Sequence, residues 1–472
     1  MYPFKKHCFG AIIKYMQIEI FNTLSRKKEI FKPLRKSRVG LYTCGPTVYN
    51  YAHIGNLRTY LFEDILRRTL QYAGYRVKHV MNITDIDDKT IAASLARHMT
   101  LKDFTRKYEA LFKHDLKQLN IIFPTTFARA TDHIAPMIAD IRKLVKAGFA
   151  YEKDGSVYFD VSKFKHYGKL ARINKKELRA GTRVDRDEYA KDEARDFVLW
   201  KARKDSEPFW ESSFGAGRPG WHIECSTMSV RLLGQPFDIH AAGVDLIFPH
   251  HENEIAQAEA TGDKALARYW IHGEHLMIEG QKMSKSLGNI FTLRDIEEHH
   301  AKPLVLRYFF LGAHYRSQLN FTWDALSAAG AALESLYEFV RTLKTAKPNQ
   351  RAGVKTLAKF KKEFDDAITD DLNAPRALAA LWSFVHTYNK NPEMFDPKAT
   401  LAAFYECDEI LGLGLRTVTV PRIPANIRQL AYRREKTRTA KDFGASDALR
   451  TQIRSLGWQV EDTSDGPKIS KK

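Results

Sequence analysis

Apolar residues near the start of the chain alternate between a spacing typical of strands and one typical of a helix. The segment over residues 39–44 is short and mostly apolar, and Gly45 follows it directly. This pattern predicts a buried strand followed by a turn. Apolar residues then recur at helical spacing over 57–74, and a second strand is predicted over 75–83. Strand, glycine-bearing turn, helix and strand form the βαβ unit of a parallel sheet. The sequence therefore predicts an α/β fold with a Rossmann-type parallel sheet.

The pattern changes twice further along the chain. Short strands, turns and a charged stretch between residues 151 and 220 predict an insertion in the sheet, and strand–helix alternation resumes from 221 to about 296. Beyond Pro303 almost every segment has helical spacing. The predicted domains are a catalytic Rossmann-type domain over 17–300 with its insertion at about 151–220, a connecting helical region over 301–345, an α-helical bundle over 346–420 and a small C-terminal domain over 421–472.

Composition narrows the classes of function. A chain of 472 residues, 44% of them hydrophobic, can bury several cores, and no apolar run reaches the ~18 residues that a membrane helix needs, which predicts a soluble protein without a membrane partner. The net charge of +19 favours a polyanionic partner such as nucleic acid, with a well-solvated basic surface as the alternative. Four widely spaced cysteines do not make a disulfide framework, which predicts a cytoplasmic location. Residues 1–15 are predicted to be a basic tail, not a signal peptide.

The segment from Cys44 to Asn56 connects the first strand to the first helix. A helix N-terminus offers free backbone N–H groups and a partial positive charge, so anions such as phosphate bind there. Gly55 removes side-chain bulk where a nucleotide could approach the backbone, and His53 and Asn56 can donate hydrogen bonds to phosphate oxygens. The alternative is an ordinary βα turn whose histidine caps the helix.

Residues 281–286, Gln-Lys-Met-Ser-Lys-Ser, place two lysines and two serines shortly before Gly288. Such a loop can close on phosphates, because lysine supplies a point charge that stabilises negative charge as it builds on a leaving group. A solvated surface loop is the alternative.

Together, His53-Ile-Gly-Asn56 and Lys282-Met-Ser-Lys-Ser286 resemble the two signature motifs of class I aminoacyl-tRNA synthetases. The resemblance implies that both motifs bind ATP, which is used with Mg²⁺, and that they stabilise the transition state of adenylation. Asn56 stands where the commonest form of the first motif has histidine, but asparagine keeps a donor of similar reach. The implied catalytic residues are His53, Asn56, Lys282 and Lys285. The implied ATP-binding residues are His53, Gly55, Asn56, Lys282, Met283, Ser284, Lys285 and Ser286.

Potential metal ligands occur in three parts of the chain. Zinc takes thiolate, imidazole and carboxylate ligands, and His250 and Glu254 are spaced to fall on one face of a helix. Cys44 and Cys225 are predicted to lie at βα junctions of the two sheet halves, where neighbouring strands bring them together. The spacing is not that of a zinc finger, so two buried cysteines and a solvated helix start remain the alternative. The candidate ligands are Cys44, Cys225, His250, His251, Glu252 and Glu254.

Segments 43–47, 82–88, 220–226 and 248–254 resemble those of cysteinyl-tRNA synthetases, and the likeness extends from about residue 17 to the C-terminus. Carried over by position, it implies that zinc is bound by Cys44, Cys225, His250 and Glu254. It also implies that Gly45 and Thr84 hold the substrate amino acid and that Trp221 lies under the metal site. Ala241 and Ala242 depart from the family, which usually has glycines there, and we expect them to narrow the nucleotide pocket slightly.

A metal has a physical purpose in such an enzyme. Cysteine and serine differ only by sulfur for oxygen, and a hydrophobic pocket separates small differences by only ~1–3 kcal/mol. Zinc binds a thiolate strongly and lowers the pKa of a thiol, whereas the serine hydroxyl stays protonated and binds poorly. The resemblance therefore implies selection of cysteine without an editing domain.

Two further segments carry weaker signals. Thr84, Asp85, Asp87 and Asp88 follow a strand and suggest a magnesium cluster, with helix N-capping by Asp87 and Asp88 as the alternative. The basic segment over 433–447 is predicted to be a helix followed by a second one, and it resembles an anticodon-region domain. Trp458 is predicted to be available there to stack on a base.

These resemblances imply an enzyme that activates L-cysteine with ATP to cysteinyl-adenylate and pyrophosphate, then transfers the cysteinyl group to tRNA(Cys). We expect a monomer. One alternative is a cysteine ligase of the mycothiol pathway, which shares the motifs but uses an amino-sugar acceptor and lacks the full C-terminal anticodon region. Another is a catalytically silent RNA-binding paralogue, against which the complete 282–286 motif and the four ligand positions argue.

Overall fold

The structure is a computed structural model. It describes residues 16–173, 196–205, 207–262, 264–284, 287–347, 353–463 and 466–471. The predicted tail over 1–15, the charged stretch over 175–195, and the loop residues Lys285 and Ser286 lie outside the described residues.

The described residues form sixteen strands and, counting those of six or more residues, fourteen α-helices. The strands are β1 (Glu19–Asn22), β2 (Lys27–Ile30), β3 (Arg38–Thr43), β4 (Arg76–Ile83), β5 (Thr126–Arg129), β6 (Ala150–Lys153), β7 (Ser156–Phe159), β8 (Phe197–Ala202), β9 (Gly217–Pro219), β10 (Phe237–Gly243), β11 (Ala267–Gly273), β12 (Leu276–Ile278), β13 (Gln281–Lys282), β14 (Leu319–Phe321), β15 (Trp458–Thr463) and β16 (Gly466–Lys471). The helices are α1 (Ile54–Tyr72), α2 (Asp88–Leu95), α3 (Leu101–Gln118), α4 (Ile134–Lys146), α5 (Trp221–Leu233), α6 (Glu252–Glu259), α7 (Leu293–Glu298), α8 (Pro303–Leu311), α9 (Trp323–Thr345), α10 (Val354–Thr369), α11 (Ala374–Lys390), α12 (Pro397–Leu411), α13 (Ala425–Thr439) and α14 (Phe443–Ser455). Within the described ranges, none of these helices combines the length and apolar character needed to cross a membrane.

A five-stranded parallel sheet organises the N-terminal half. Its strand order is β11-β10-β3-β4-β5, and every neighbouring pair runs parallel. Alternate residues of β3 enter two different cores, one shared with α1 and the other shared with α5, so helices cover both faces. The observed β3, α1 and β4 match the predicted βαβ unit to within three residues. The predicted α/β class is therefore confirmed.

The predicted insertion contains an antiparallel sheet of β6, β7, β8 and β9, in that order. Its fully buried residues Phe159 and Trp200 belong to the same core as α5. Glu252, at the start of α6, accepts hydrogen bonds from four consecutive backbone N–H groups, those of residues 168–171. The insertion is thus held against the end of the parallel sheet, close to the cysteine and histidine motifs.

The C-terminal half is mostly helical, with two exceptions that the sequence pattern did not predict. Strand β14 pairs with β12, and β15 and β16 form a hairpin. A periodicity argument fails for β14 because the strand has only three residues. The turn between α10 and α11 joins this half to the N-terminal half, because the Asp371 carboxylate accepts hydrogen bonds from the N–H of Phe21 and the hydroxyl of Tyr315.

Trp458 is buried, so the prediction that it is available to stack on a base is wrong. Its side chain packs with Ile427, Ile453 and Val460 in the core of the C-terminal domain, and only 7% of the residue is exposed. The core of this small domain has few members, and Trp458 is the largest of them.

Candidate active site and metal centre

The site lies at the carboxyl edge of the parallel sheet, at the point where the strand order reverses. From β3 the chain continues to β4 and β5 on one side, whereas β10 and β11 occupy the other side. A switch point of this kind opens a crevice beyond the strand ends, where ligands bind in α/β folds. Cys44 directly follows β3, and its N–H donates to the carbonyl of Ala241 in β10 over 3.3 Å. This cysteine therefore lies at the crevice.

Four potential metal ligands meet there. The ligand atoms of Cys44, Cys225, His250 and Glu254 all lie within 4.8 Å of one another, and all four residues are buried. Ligand atoms of a tetrahedral zinc site lie about 3.3–3.8 Å apart when the ligand bonds are about 2.0–2.3 Å long. Oε1 of Glu254 is buried, and Nε2 of His250 lies 3.0 Å from it, so these two ligands already face each other. The set therefore fits zinc after small side-chain shifts.

Cys225 reaches this set from helix α5, not from the end of a strand of the parallel sheet. Helix α5 begins at Trp221, after β9 of the insertion sheet, and packs across β3 and β4. The prediction that Cys225 lies at a βα junction of the parallel sheet is therefore wrong. The predicted proximity of Cys44 and Cys225 is nevertheless present.

Neighbouring rings hold the ligand side chains in place. Trp221 stacks on His250 with the ring centroids 4.3 Å apart, and Nδ1 of His222 lies 2.9 Å from Nδ1 of His250. On the other side of the set, Nε2 of His240 is hydrogen-bonded to Oε2 of Glu254 at 2.9 Å. Outer groups of this kind fix the orientation of metal ligands. The sequence analysis placed Trp221 here but missed His222 and His240, although the density of histidines around both motifs was a usable signal.

The four side chains strongly perturb one another's pKa values. Burial raises the pKa of the Cys225 thiol, but hydrogen bonds with Cys44 and His250 outweigh burial and bring this pKa to about 6. Burial also opposes ionisation of Glu254, yet His240 and His250 lower the pKa of its carboxyl to about 2. Burial lowers the pKa of His250 as well, but the neighbouring Cys225 and Glu254 raise it to about 10. At neutral pH the metal-free set thus holds the Cys225 thiolate and the Glu254 carboxylate beside a protonated His250, and burial raises the pKa of the Cys44 thiol. A metal would therefore displace protons from Cys44 and His250 when it binds.

A second set of potential ligands overlaps the first. Cys44 and Glu254 also lie within 4.8 Å of ligand atoms of His240 and His251. Nε2 of His251 is 3.4 Å from the Cys44 sulfur, and its Nδ1 lies 2.8 Å from Nε2 of His272. The first set is the better zinc site because it contributes two thiols, the softer ligands that zinc accepts readily.

A chain of hydrogen bonds extends from Gly45 across the strand ends to α5. The N–H of Gly45 donates to the side-chain oxygen of Asn82 at 2.7 Å, and the side-chain nitrogen of Asn82 donates to the Thr84 hydroxyl at 3.2 Å. The Thr84 hydroxyl donates in turn to Glu224 at 2.9 Å. Only glycine fits at position 45, because a Cβ there would lie 1.8 Å from the backbone oxygen of Asn82. Gly45 and Thr84 thus lie beside the metal ligands, together with Glu224, which the sequence analysis missed.

His53 caps helix α1, and Asn56 completes the cap. Nδ1 of His53 accepts a hydrogen bond from the N–H of Asn56 at 3.2 Å, and Oδ1 of Asn56 accepts one from the N–H of His53 at 3.4 Å. Burial lowers the pKa of His53, although Asp245 opposes the shift, and a neutral imidazole that accepts at Nδ1 carries its proton on Nε2. Nε2–H of His53 and Nδ2 of Asn56 therefore remain as donors. Capping and phosphate binding, which the sequence analysis treated as alternatives, are compatible.

The lysine-bearing loop reaches the same helix start. A Cβ on Gly55 would lie 3.0 Å from Cε of Met283, so the loop lies against the first turn of α1. Where the loop ends, Thr292 pairs with His53 as an isolated β-bridge. Of the predicted ATP-binding residues that the structure describes, His53, Gly55 and Asn56 therefore lie close to Met283, and the adjoining Lys282 and Ser284 belong to the same short segment.

The acidic residues after β4 have separate partners within the protein. Asp87 caps α2 by accepting hydrogen bonds from the backbone N–H groups of residues 89 and 90. Asp88 is instead paired with Lys201, at 2.6 Å, and with Arg218. Asp85 accepts hydrogen bonds from Thr131. The capping alternative is therefore correct for Asp87 and wrong for Asp88.

Ala241 and Ala242 are wholly buried near the end of β10. Ala241 belongs to the core that contains α1, and Ala242 belongs to the core that contains α5. Their methyl groups therefore fill the two cores, and this burial gives no support to the expected narrowing of the nucleotide pocket. The following Gly243 is the constrained position, because a Cβ there would lie 2.4 Å from a carboxylate oxygen of Asp245.

Comparison with known proteins identifies the family. A family model described as the tRNA synthetases class I (C) catalytic domain matches residues 30–331, and a DALR domain model matches residues 363–416. A cysteine–tRNA ligase of Chlamydia pneumoniae is 47% identical over 462 residues, which cover 95% of this chain and 97% of that protein. The chain belongs to the cysteine–tRNA ligases. The ligase of Brachyspira hyodysenteriae is 44% identical over 471 residues, 96% of this chain and 99% of that protein.

Solved structures agree on the fold. The methionyl-tRNA synthetase of Mycobacterium tuberculosis in complex with methionyl-adenylate has a TM-score of 0.61 at 16% identity, over 81% of this chain and 93% of that chain. At this identity the likeness concerns the fold alone. The predicted family and the predicted class of enzyme are confirmed, and the roles of single residues at the site remain predictions.

Proposed function

We propose that Cys44, Cys225, His250 and Glu254 bind zinc, and that this site selects the thiol of the amino acid that the enzyme activates. As a cysteine–tRNA ligase, the enzyme uses ATP to join cysteine to tRNA. The observation that carries the proposal is the meeting of two thiols, an imidazole and a carboxylate within 4.8 Å at the sheet edge. Zinc accepts such a donor set, whereas Mg²⁺ and Ca²⁺ prefer oxygen ligands alone.

Zinc bound there would supply a Lewis acid that holds the substrate sulfur as a thiolate. The protein keeps the surroundings dry and the ligands oriented, through burial of all four ligands and through the rings of Trp221 and His222 beside His250. A serine hydroxyl remains protonated under the same conditions and is a poor ligand. In the proposal, Gly45 and Thr84 hold the remainder of the amino acid.

At the other side of the crevice, the start of α1 and the loop over 281–286 bind ATP with its Mg²⁺ in this proposal. The first turn of α1 contains no acidic residue, so its N–H groups and dipole are available to a phosphate. Nε2–H of His53 and Nδ2 of Asn56 donate to phosphate oxygens. Lys282 and Lys285 stabilise the charge that builds as the substrate carboxylate attacks the α-phosphate and pyrophosphate leaves. The cysteinyl group of the resulting adenylate then passes to the 3′ end of the tRNA.

The C-terminal helices are the proposed contact to the body of tRNA(Cys). Helix α13 exposes Arg428, Arg433 and Lys436, and exposed cations of this kind bind phosphates with release of counterions. Arg434 on the same helix is buried and pairs with Asp462 at 2.7 Å, so it stabilises the domain instead. A monomeric state and a cytoplasmic location belong to the same proposal.

Charging of a tRNA(Cys) transcript with labelled cysteine, with labelled serine in parallel, tests the zinc site. Wild-type enzyme is expected to charge cysteine only. Cys225→Ala should lower zinc content and the preference for cysteine together. Cys407→Ala, which changes another fully buried cysteine in α12, should alter neither. An unchanged preference in a zinc-poor Cys225→Ala enzyme would overturn the proposal.

The nucleotide side is tested separately with Lys285→Ala. This variant should form adenylate about 100-fold more slowly while its zinc content stays at the wild-type value. Lys398→Ala, at an exposed lysine of α12, should leave adenylation unchanged. Loss of zinc in Lys285→Ala would contradict the assignment. Adenylate formation without charging by the wild-type enzyme would point to an acceptor other than tRNA, and no adenylate at all would favour a silent paralogue.

A further inference from the structure

Glu224 is a wholly buried acidic residue next to the metal set. It directly precedes Cys225 in helix α5, and both side chains are buried. Cys225 contributes its sulfur to the metal set, whereas the Glu224 carboxylate contacts Thr84 at the end of β4. The chain from Gly45 through Asn82 and Thr84 thus ends on a carboxylate.

The hydrogen bonds around Thr84 fix which way its hydroxyl points. A hydroxyl has one proton to donate and two lone pairs. Thr84 donates its proton to Oε2 of Glu224, and its oxygen accepts a hydrogen bond from Asn82. One lone pair remains, so any further partner of this hydroxyl has to be a donor. Glu224 therefore makes Thr84 an acceptor toward a ligand.

The second oxygen of Glu224 is also left as an acceptor. Oε1 is buried and has no hydrogen-bond partner among the described residues. A buried carboxylate oxygen without a partner is unfavourable, because it has lost water and gained nothing in return. A ligand that brings N–H donors and a positive charge would correct this deficit. The N–H of Gly45, in contrast, is already used by Asn82.

We propose that Glu224, directly and through Thr84, accepts hydrogen bonds from the α-ammonium group of the substrate and so selects substrates that carry this group. This inference rests on the proposed function, because it takes the substrate to be an amino acid whose thiol lies at the metal ligands. An α-ammonium group has the three N–H donors and the charge that Glu224 and Thr84 together accept. With thiol and ammonium held at two different places, the carboxylate of the substrate is left free to face the start of α1. The enzyme would thereby recognise two groups of its substrate, the thiol at the metal ligands and the ammonium group at Glu224.

The experiment compares binding of L-cysteine and of 3-mercaptopropionate, which has the thiol and carboxylate but no ammonium group. Dissociation constants are measured by calorimetry on zinc-loaded enzyme, and zinc content is measured on every sample. In Glu224→Gln the advantage of cysteine over 3-mercaptopropionate should fall about tenfold or more, as expected when a charged hydrogen bond is lost. Binding of 3-mercaptopropionate and zinc content should stay at wild-type values. The matched control is Glu109→Gln, which neutralises another buried glutamate; Glu109 lies on α3 and pairs with Arg129 of β5.

An unchanged ratio in folded, zinc-replete Glu224→Gln would overturn the inference, and so would equal weakening of both ligands. If Glu224→Gln does not fold, Thr84→Val and Thr84→Ser answer the same question. A ratio that falls in Thr84→Val and is restored in Thr84→Ser supports the inference, whereas the same ratio in both overturns it. Wild-type enzyme that binds no cysteine would overturn the proposed function as well, so the two failures are distinguishable.

Discussion

Among the described residues, the buried ionic cluster around Asp64 and the buried cluster at the sheet edge differ in whether every group has a partner. Around Asp64 of α1, the carboxylate accepts hydrogen bonds from Arg68, Arg307 and the N–H of Ile122 at 2.7–2.9 Å. The other N–H groups of Arg307 donate to backbone carbonyls. This cluster joins α1 to α8 and α12, and it is closed: protein groups satisfy all three of its charged side chains.

The cluster at the sheet edge is open. Oε1 of Glu224 has no hydrogen-bond partner among the described residues, and the neighbouring set brings two thiols together with His250 and Glu254. Buried polar groups are normally paired, so an unpaired carboxylate oxygen next to soft metal ligands indicates a binding site for a group that is not part of the protein. The comparison teaches that burial and charge alone do not distinguish a structural cluster from a binding site. The distinction lies in what the protein leaves unsatisfied.

The closed cluster should account for the largest effect on folding. Asp64→Asn leaves two buried arginines without a counter-charge, which is expected to lower the free energy of unfolding by about 3–5 kcal/mol. Zinc content of the folded fraction should not change. Urea denaturation and metal analysis measure both. A control is Glu363→Gln, which changes an exposed pair with Lys359. A stable Asp64→Asn enzyme would mean that the cluster is not a structural one.

The same residue predicts a pH dependence. Burial by itself raises the pKa of Asp64, but Arg68 and Arg307 outweigh burial and leave this pKa below its ordinary value. A lowered folded-state pKa contributes stability that is fully present above the unfolded value of about 4 and is lost as the pH falls through the folded value. The stability difference between wild type and Asp64→Asn should therefore shrink only below about pH 4. A difference that shrinks at neutral pH instead would contradict this assignment.

The open cluster should respond to its ligand. Zinc at about 100 times its dissociation constant is expected to stabilise the wild-type enzyme by about 2.7 kcal/mol, because only the folded chain presents the four ligands together. Glu254→Gln removes one of them and should abolish most of this stabilisation. Because Glu254 also pairs with His240 and His250, the variant is expected to be less stable without metal, so the effect of zinc is compared within each protein. Thermal unfolding with and without zinc measures it. Equal stabilisation of both proteins would place the metal elsewhere.

An intermediate case lies in the turn between α10 and α11. The Asp371 carboxylate is buried and accepts hydrogen bonds from Phe21, Tyr315 and Arg316, whereas its neighbour Asp370 is partly exposed and pairs with Lys28. Asp371→Asn should lower the free energy of unfolding by about 1–2 kcal/mol, and Asp370→Asn by less than about 0.5 kcal/mol. Urea denaturation measures both values. Similar losses in the two variants would show that the number of hydrogen bonds a carboxylate accepts does not decide its contribution to stability.

The parts of the site that could be predicted from sequence are those fixed by local spacing. His250 and Glu254, four residues apart, do meet, with Nε2 of His250 3.0 Å from Oε1 of Glu254. The strand, turn and helix around Cys44 are likewise a local pattern. His222 and His240 act through contacts across the fold, which no periodicity encodes. Cys225 lies on helix α5, whose position depends on how the insertion sheet packs. Its position relative to the strands of the parallel sheet was therefore predicted wrongly.

The environments of Trp458, Ala241 and Ala242 also required the structure. Trp458 is aromatic and lies in a basic segment, which by composition alone resembles a base-stacking residue. Its burial depends on the hairpin that folds over α13 and α14. Ala241 and Ala242 likewise stand near the nucleotide motifs in sequence, yet their side chains enter the two cores on either face of β10. Proximity in sequence does not state which face of a strand a methyl group occupies.

Ala241 and Ala242 provide the test with the smallest expected effect. They lie near the open cluster, but their methyl groups are packed in the protein core. Ala241→Gly and Ala242→Gly should each lower the free energy of unfolding by about 1 kcal/mol, through lost burial and greater backbone freedom in the unfolded chain. Because neither methyl group is exposed, the KM for ATP in adenylate formation should not change. A lower KM for ATP without loss of stability would mean that these methyl groups border the nucleotide after all. In that case the open region of the site would extend from the metal ligands along β10 to Gly243.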